Sequence, residues 1–320
     1  MTGSVVSVRS PADPAALRAV QAAVSTVVRG KDEIIEHVLV CLIAGGHVLL
    51  EDLPGVGKST LARAIAASLG AQLSRVQFTS DLLPADIVGV SVWRPTLEKF
   101  EFQPGPIFAH VVLADEINRA PPRTQSALLE AMGEGQVSVE GQSRALPQPF
   151  IVIATQNPSE HHGTYPLPES QRDRFALRVT LGYAAADVEA ALLEAGSDAG
   201  RMVDEPVASL EDIAQAQAAA AALHLHPDLA GYAQRVAQST RDDPELQQGV
   251  STRGALAWVA TARARAWLDG RDHVTIDDLQ SLAVPALAHR VVLRTAAGET
   301  ADAVAAEHIR EILARTPVPR

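Results

Sequence analysis

The stretch EDLPGVGKST, residues 51–60, decides how the chain is read. A loop that cradles nucleotide phosphates follows G-x-x-x-x-G-K-[ST]. Here Asp52 stands where that pattern begins with glycine. Such a loop works because backbone N–H groups and a helix N-terminus point at the same anion, and glycines let the backbone approach it. Gly55 and Gly57 keep that role. Lys58 is placed to reach the β- and γ-phosphates, and Ser59 to ligate Mg²⁺. Pro54, Val56 and Thr60 complete the expected phosphate-binding set. The first position lies at the loop's entrance, so Asp52 removes no phosphate-binding group.

The surroundings support a working loop. HVLLE before it is a short apolar strand, and STLARAIAASL after it is a helix stopped at Gly70. Upstream, Asp13 caps a helix that has Pro14 at its first position and Gly30 at its end, and a second helix spans about 32–44. Downstream, RVQFT, HVVLADE, PFIVIATQNP and RFALRVTL read as strands, and PPRTQSALLEAM as a helix ended by Gly133. Period-two alternation in VGVSVW and KFEFQ around RPTLE predicts a hairpin, and QVSVEG with the residues after it predicts a second. Strands alternating with helices imply a parallel sheet between helical layers. From about Leu210 onward only amphipathic helices are expected, separated at His226-Pro227, Asp243-Pro244, Gly270 and Gly298.

HVVLADE ends in two acids. Asp115 is expected to hold Mg²⁺ through water, and Glu116 to polarise the attacking water as general base. Asn157, in ATQN at the tip of the next strand, fits a residue that orients that water. The chemistry so far is that of an ATP·Mg²⁺ site.

Bulk properties narrow the class. Hydrophobic residues make up 47% of the 320 and charged residues 20%, as in a soluble protein with a core. The net charge of −11 argues against a broad nucleic-acid or anionic-membrane surface. The single cysteine, Cys41, lies in an apolar run and reads as a core residue. There is no signal-like N-terminus and no apolar run near the ~18 residues a membrane span needs, so a cytoplasmic protein is expected. The histidine pairs His161-His162 and His224/His226 lack metal-ligand spacing. Trp93, Trp258 and Trp267 read as core or hairpin packing.

Three long segments together resemble the MoxR family of AAA+ ATPases: HVLLEDLPGVGKSTLARAIA, FQPGPIFAHVVLADEINRAPPRTQSALLEAM and FIVIATQNPSEHHGTYPLPESQRDRF. A weaker match runs through STRGALAWVATARARAWLDGRDHVT. Loops of this family commonly begin Glu-Asp, so Asp52 is a family trait. The resemblance implies a P-loop AAA+ core, α/β with a parallel sheet between helices, followed by a small all-α lid. The expected divisions are a leader at 1–12, a core at 13–183 with hairpin inserts at about 88–103 and 136–146, a linker at 184–205 and a helical lid at 206–320.

The resemblance also assigns roles. Asn157 matches sensor 1. Arg174, in DRF, matches the arginine finger that reaches a neighbour's γ-phosphate. Arg172 is unusual at its place, which leaves the finger open between the two. Arg253 matches sensor 2, with Ser251 capping its helix and the nucleotide expected between core and lid. Gly30-Lys31 stands where the family usually has Gly-Gln, near the adenine. The implied protein is an ATPase working as a homo-oligomer, a hexamer first. It would remodel or mature a protein client, by chaperone-like action or metal insertion, often beside von Willebrand factor A-domain proteins. Two other readings are an assembly switch with slow hydrolysis and, against the charge, a nucleic-acid motor.

Overall fold

The computed structural model describes residues 13–53, 55–157, 163–196, 202–295 and 300–319. The expected leader, Pro54, His161, His162 and Gly298 lie outside them. In chain order the elements begin with α1 (Pro14–Val27), α2 (Asp32–Ile43), β1 (Val48–Glu51), α3 (Lys58–Ser68), β2 (Leu73–Gln77) and α4 (Pro84–Val88). They continue with β3 (Gly89–Arg94), β4 (Lys99–Pro104), β5 (Val111–Asp115), α5 (Pro122–Glu134), β6 (Gln136–Val139), β7 (Gln142–Ala145), β8 (Ile151–Gln156), α6 (Glu169–Arg172) and β9 (Leu177–Val179). The remainder comprises α7 (Ala186–Ala195), α8 (Leu210–Ala222), α9 (Pro227–Arg241), β10 (Leu246–Gln248), α10 (Thr252–Leu268), α11 (Ile276–Leu287), β11 (Val292–Leu293) and α12 (Thr300–Arg315).

Five strands form one sheet in the order β2-β5-β8-β1-β9, with every neighbouring pair parallel. The three inner strands, β5, β8 and β1, are covered on both faces, which is why they read as unbroken apolar runs. Val48 and Leu50 of β1, Val111 and Leu113 of β5, and Ile151 and Ile153 of β8 join one cluster with α1, α2, α3 and the C-terminal helices. The alternate residues Leu49, Val112, Ala114, Val152 and Ala154 join a second cluster with α5. Trp258 is fully buried and donates its indole N–H to Leu279 O at 2.8 Å, and Trp267 is buried too, whereas Trp93 stands exposed on β3. Cys41 is buried, and that burial pushes its thiol pKa up, as a core residue requires. Among the described residues, no helix is long and apolar enough to cross a membrane.

Both hairpins form, as β3–β4 and β6–β7. Two glycines let the first one leave the core. A Cβ on Gly105 would meet Ile87 O at 2.2 Å, and one on Gly89 would meet Gln103 O at 2.3 Å, so backbone crosses backbone at the ribbon's base. The Arg144 guanidinium of β7 lies over the Phe102 ring of β4 and ties the two ribbons together.

Three expectations need correction. Helix α5 does not stop at Gly133. It runs to Glu134 and is closed by Gly135, whose φ of +62° suits a left-handed cap. Gly133 is small for another reason, since a Cβ there would meet the Arg174 guanidinium at 2.4 Å. The stretch read as a linker carries helix α7. The region read as purely helical contains an antiparallel pair, β10 with β11; at two or three residues each, these strands are too short for periodicity to reveal.

Burial also sets a pH dependence. His47, just before β1, accepts from Val152 N–H at 3.0 Å through Nδ1 and so donates through Nε2 to Met132 O at 3.1 Å. Burial lowers its pKa from 6.5 to about 4, opposed by the bond to Met132. The unfolded chain therefore binds the extra proton first, and stability falls as pH drops from about 6.5 toward about 4. The expected loss is about 3 kcal/mol. Urea unfolding across that window is expected to show His47→Gln losing correspondingly less than the native chain.

Candidate active site

The loops after β1, β2, β5 and β8 leave the sheet at one edge, where parallel α/β sheets hold ligands. They surround a cleft of about 340 Å³ lined by Gly55, Gly57, Lys58, Ser59, Thr60, Arg75, Gln77, Asp115, Glu116 and Asn157. Gly55 and Gly57 have φ of +86° and +101°, with open space where a Cβ would be, so backbone conformation and not crowding demands glycine. The first helical bond of α3 runs from Leu61 N to Gly57 O, which leaves the N–H groups of Lys58, Ser59 and Thr60 without an intrahelical acceptor at the cleft. Val56 turns away and packs on the apolar cluster.

Asp52 proves structural. Its Oδ2 accepts from Gly182 N at 2.5 Å and its Oδ1 from Leu53 N at 2.9 Å, fastening the loop's entrance to the segment after β9. Its φ is not left-handed, so glycine is unnecessary there. Lys31 Nζ binds Leu181 O and, at 2.8 Å, Tyr183 O, and so holds the same segment from the other side. Lys58 Nζ bonds to the carbonyls of Asp52 at 2.6 Å and Leu53 at 3.1 Å. Burial pulls its pKa down, and Asp52, Asp115 and Glu116 oppose that shift.

The two acids are wired differently. Asp115 accepts at Oδ1 from Thr155 Oγ1 at 2.6 Å and at Oδ2 from Arg75 at 2.7 Å. Glu116 sits in the left-handed region at φ +56°, a strained place for a side chain with a Cβ. Its N–H donates to Thr155 Oγ1 at 2.8 Å, while its Oε2 accepts from Gln77 at 2.9 Å and Arg119 at 3.0 Å. Asn157 is buried beside them. The donor set fits Mg²⁺ carried on nucleotide phosphates. One carboxylate and one hydroxyl, Asp115 and Ser59, leave most coordination positions to phosphate and water, as Mg²⁺ prefers.

Arg174 and Arg253 lie elsewhere. Both line a second pocket of about 210 Å³ together with Gly45, Gly46, His47, Asp173 and Arg290. β1 and β9 pair in parallel, Val48 against Leu177, so Gly46 and Arg174 precede their strands while the phosphate loop comes after β1. At about 3.3 Å per residue, the strand separates the two pockets by more than about 10 Å. Arg174 donates to Leu129 O at 2.6 Å. Arg172 ends α6 and does not line this pocket. Arg253 sits in the first turn of α10, which Ser251 caps as expected, with Gly254 N donating to Ser251 Oγ at 2.9 Å. Arg253, expected beside its own chain's nucleotide between core and lid, lines this pocket and not the cleft, because α10 begins at the opposite edge. Arg75, Gln77, Thr155 and Arg119 were not singled out from the sequence; in strands or next to a motif, such polar residues carry no spacing signal.

Thr155 links both acids, so it is the side chain to test. Thr155→Val leaves the Glu116 N–H and an Asp115 oxygen without their partner, a loss of about 1–3 kcal/mol where both are enclosed. Labelled-ADP affinity is expected to change little, and steady-state ATP turnover to fall about tenfold or more as Glu116 loses its backbone anchor.

Residues 47–177 match the ATPase family associated with various cellular activities (AAA), and residues 238–312 match the AAA lid domain. The chain is 45% identical to the Bacillus subtilis protein YeaC over 92% of each. It is 40% identical to the chaperone MoxR1 of Mycobacterium tuberculosis, over 91% of this chain and 78% of that one. A crystal structure of a Cytophaga hutchinsonii protein superposes with a TM-score of 0.86 at 32% identity, covering 96% of both chains. Fold, lid and near full-length relatives agree, and the chain belongs to the MoxR family of AAA+ ATPases.

Proposed function

We propose that the chain hydrolyses ATP as a subunit of a cytoplasmic ring, a hexamer first, and uses the cycle to remodel a protein partner. One observation carries this reading: a cleft bearing Lys58, Ser59, Asp115, Glu116 and Asn157 at one edge of the sheet, and two arginines, Arg174 and Arg253, at the other. The arginines are too far from their own cleft to serve it. A ring brings one subunit's arginine edge to the next subunit's cleft.

In that arrangement Gly55, Gly57 and the first turn of α3 cradle the phosphates, and Lys58 leaves the loop carbonyls for them. Ser59, and Asp115 through water, would hold Mg²⁺, which would supply positive charge against the phosphates. Glu116 orients a water and takes its proton as that water adds to the γ-phosphorus and the bond to ADP breaks. Arg174 and Arg253 of the neighbour balance the charge that develops. The core at 13–183 and the lid at 206–320 are the working units of this proposal.

The name chaperone borne by MoxR1 supports a protein client. So does the first hairpin, where Trp93 and Phe100 pair edge to face while 48% and 66% exposed, beside Leu97 at 56%. Metal insertion and a von Willebrand factor A-domain partner rest on the family alone.

The slow-switch reading also has an observation in its favour, the hold of Gln77 and Arg119 on the Glu116 carboxylate. ATPase rate per subunit against protein concentration separates the two, with Glu116→Gln as blank. The hydrolytic ring predicts a specific activity that rises and saturates, and a fall of about 10³-fold or more in Arg174→Ala. A rate that never leaves the blank would favour the switch. A flat, measurable rate at concentrations where the protein is monomeric would remove the shared site.

A further inference from the structure

The pocket that holds Arg174 and Arg253 contains a third arginine, and its side chain faces neither solvent nor phosphate. Arg290 closes the short turn after α11, and its side chain is 1% exposed. Its Nε donates to Asp173 Oδ1 at 2.9 Å. Its Nη2 donates to Asp173 O at 3.1 Å and Phe175 O at 2.7 Å. Its Nη1 donates to Ala176 O at 3.1 Å and to Ala286 O. The residues on both sides of Arg174 are therefore gripped by one guanidinium, while Arg174 itself points into the pocket.

The same group reaches Arg253. Asp173 also accepts from Ser251 Oγ, at 3.0 and 2.9 Å, and Ser251 is the cap that starts α10 two residues before Arg253. Gly254, the next residue, lies directly over Arg290: a Cβ there would meet Arg290 Cδ at 2.6 Å and Nε at 2.8 Å. His289 adds a bond from Nε2 to Phe175 O at 3.0 Å. A lysine at 290 cannot reproduce this planar grip, because an ammonium is a point charge without fixed donor directions.

We propose that Arg290 is a positioning residue for the neighbouring subunit's hydrolysis: it locks the Arg174 segment to the start of α10, so that Arg174 and Arg253 are presented as one preset pair. The proposal rests on the reading that these two arginines act across a subunit boundary. It assigns Arg290 no role in its own chain's cleft, which lies at the other edge of the sheet.

The test is complementation between full-length subunits. Arg290→Lys is expected to lower kcat about 100-fold, as a misplaced catalytic group does, with KM for ATP and labelled-ADP affinity held within about twofold. Its own cleft is intact. Mixed with Glu116→Gln subunits, whose cleft is dead and whose arginine edge is native, it is expected to regain activity well above the sum of the two alone. Arg174→Ala mixed with Glu116→Gln is the control. Rescue in both mixtures supports the proposal. Rescue in the control but not with Arg290→Lys overturns it and leaves the shared site standing. Failure of both removes the shared site, and the proposal with it. A large loss of ADP affinity or of ring mass by light scattering in Arg290→Lys would also overturn it, because the residue would then be supporting its own fold. Should that variant fail to fold, Ser251→Ala removes the hydroxyl bonds to Asp173 together with the cap bond from Gly254 N–H, both of which set the start of α10, and enters the same mixtures, with a smaller fall and the same rescue expected.

Discussion

Five strands running the same way give the sheet two unlike edges, and the placement of every functional group depends on that. A parallel strand delivers the residues after it to one edge and receives the residues before it from the other. β1 therefore sends the phosphate loop to the carboxyl edge and keeps Gly46 and His47 at the amino edge. β9 enters beside β1 with Arg174 just ahead of it, so that arginine is committed to the amino edge however long its side chain. The apolar alternation that buries Leu49 on one face and Val48 and Leu50 on the other holds the register. A slip of one residue would turn each of these side chains to the other face.

Within the cleft, charge is balanced locally before any nucleotide arrives. Lys58 is held by two loop carbonyls, Arg75 by Asp115, and Arg119 by Glu116. A phosphate entering this cleft would exchange partners with these groups and would not meet bare charges. Such exchanges keep the desolvation cost of a partly buried charge from being met twice. The strained backbone of Glu116 belongs to the same arrangement. Thr155 satisfies its N–H and an oxygen of Asp115 at once, so one hydroxyl keeps both acids at the mouth of the cleft. At the loop's entrance Asp52 does by hydrogen bond what a glycine could not, tying the loop to Gly182.

Much of this was legible in the sequence, for identifiable reasons. Apolar runs of four to six residues ending in Glu, Asp-Glu or Gln-Asn mark strands that are buried along their length and polar at one end, and all three of these end at the cleft. Caps were legible too, because Asp13 and Ser251 act on atoms only two or three residues away. The hidden features depend on distant partners. Gly133 looked like a helix stop, and its real constraint is Arg174, some forty residues later. Arg253 was correctly set in the first turn of a helix, yet its spacing from other motifs carries nothing about which edge of the sheet that helix approaches. Arg290, in AHRVV, reads like any arginine after a helix; only its bonds to residues 173–176 mark it out.

The C-terminal helices are tied to the sheet at both edges, and that limits how they can move. At the amino edge Arg290 and Ser251 hold Asp173. At the other, Arg178 of β9 is enclosed between Glu51, at 3.0 Å, and Asp302 of α12. Glu51 is the last residue of β1, one position before the Asp52 that anchors the phosphate loop. Burial raises the Glu51 pKa, and Arg178 opposes that shift. Breaking either tie strands a charge in an enclosed place, and this is costlier than losing an exposed pair. The helical region is thereby fastened to the sheet just before β9 and within it. Through these contacts the helical region is joined to β9, to the end of β1 that leads into residues 51–60, and to the segment that bears Arg174.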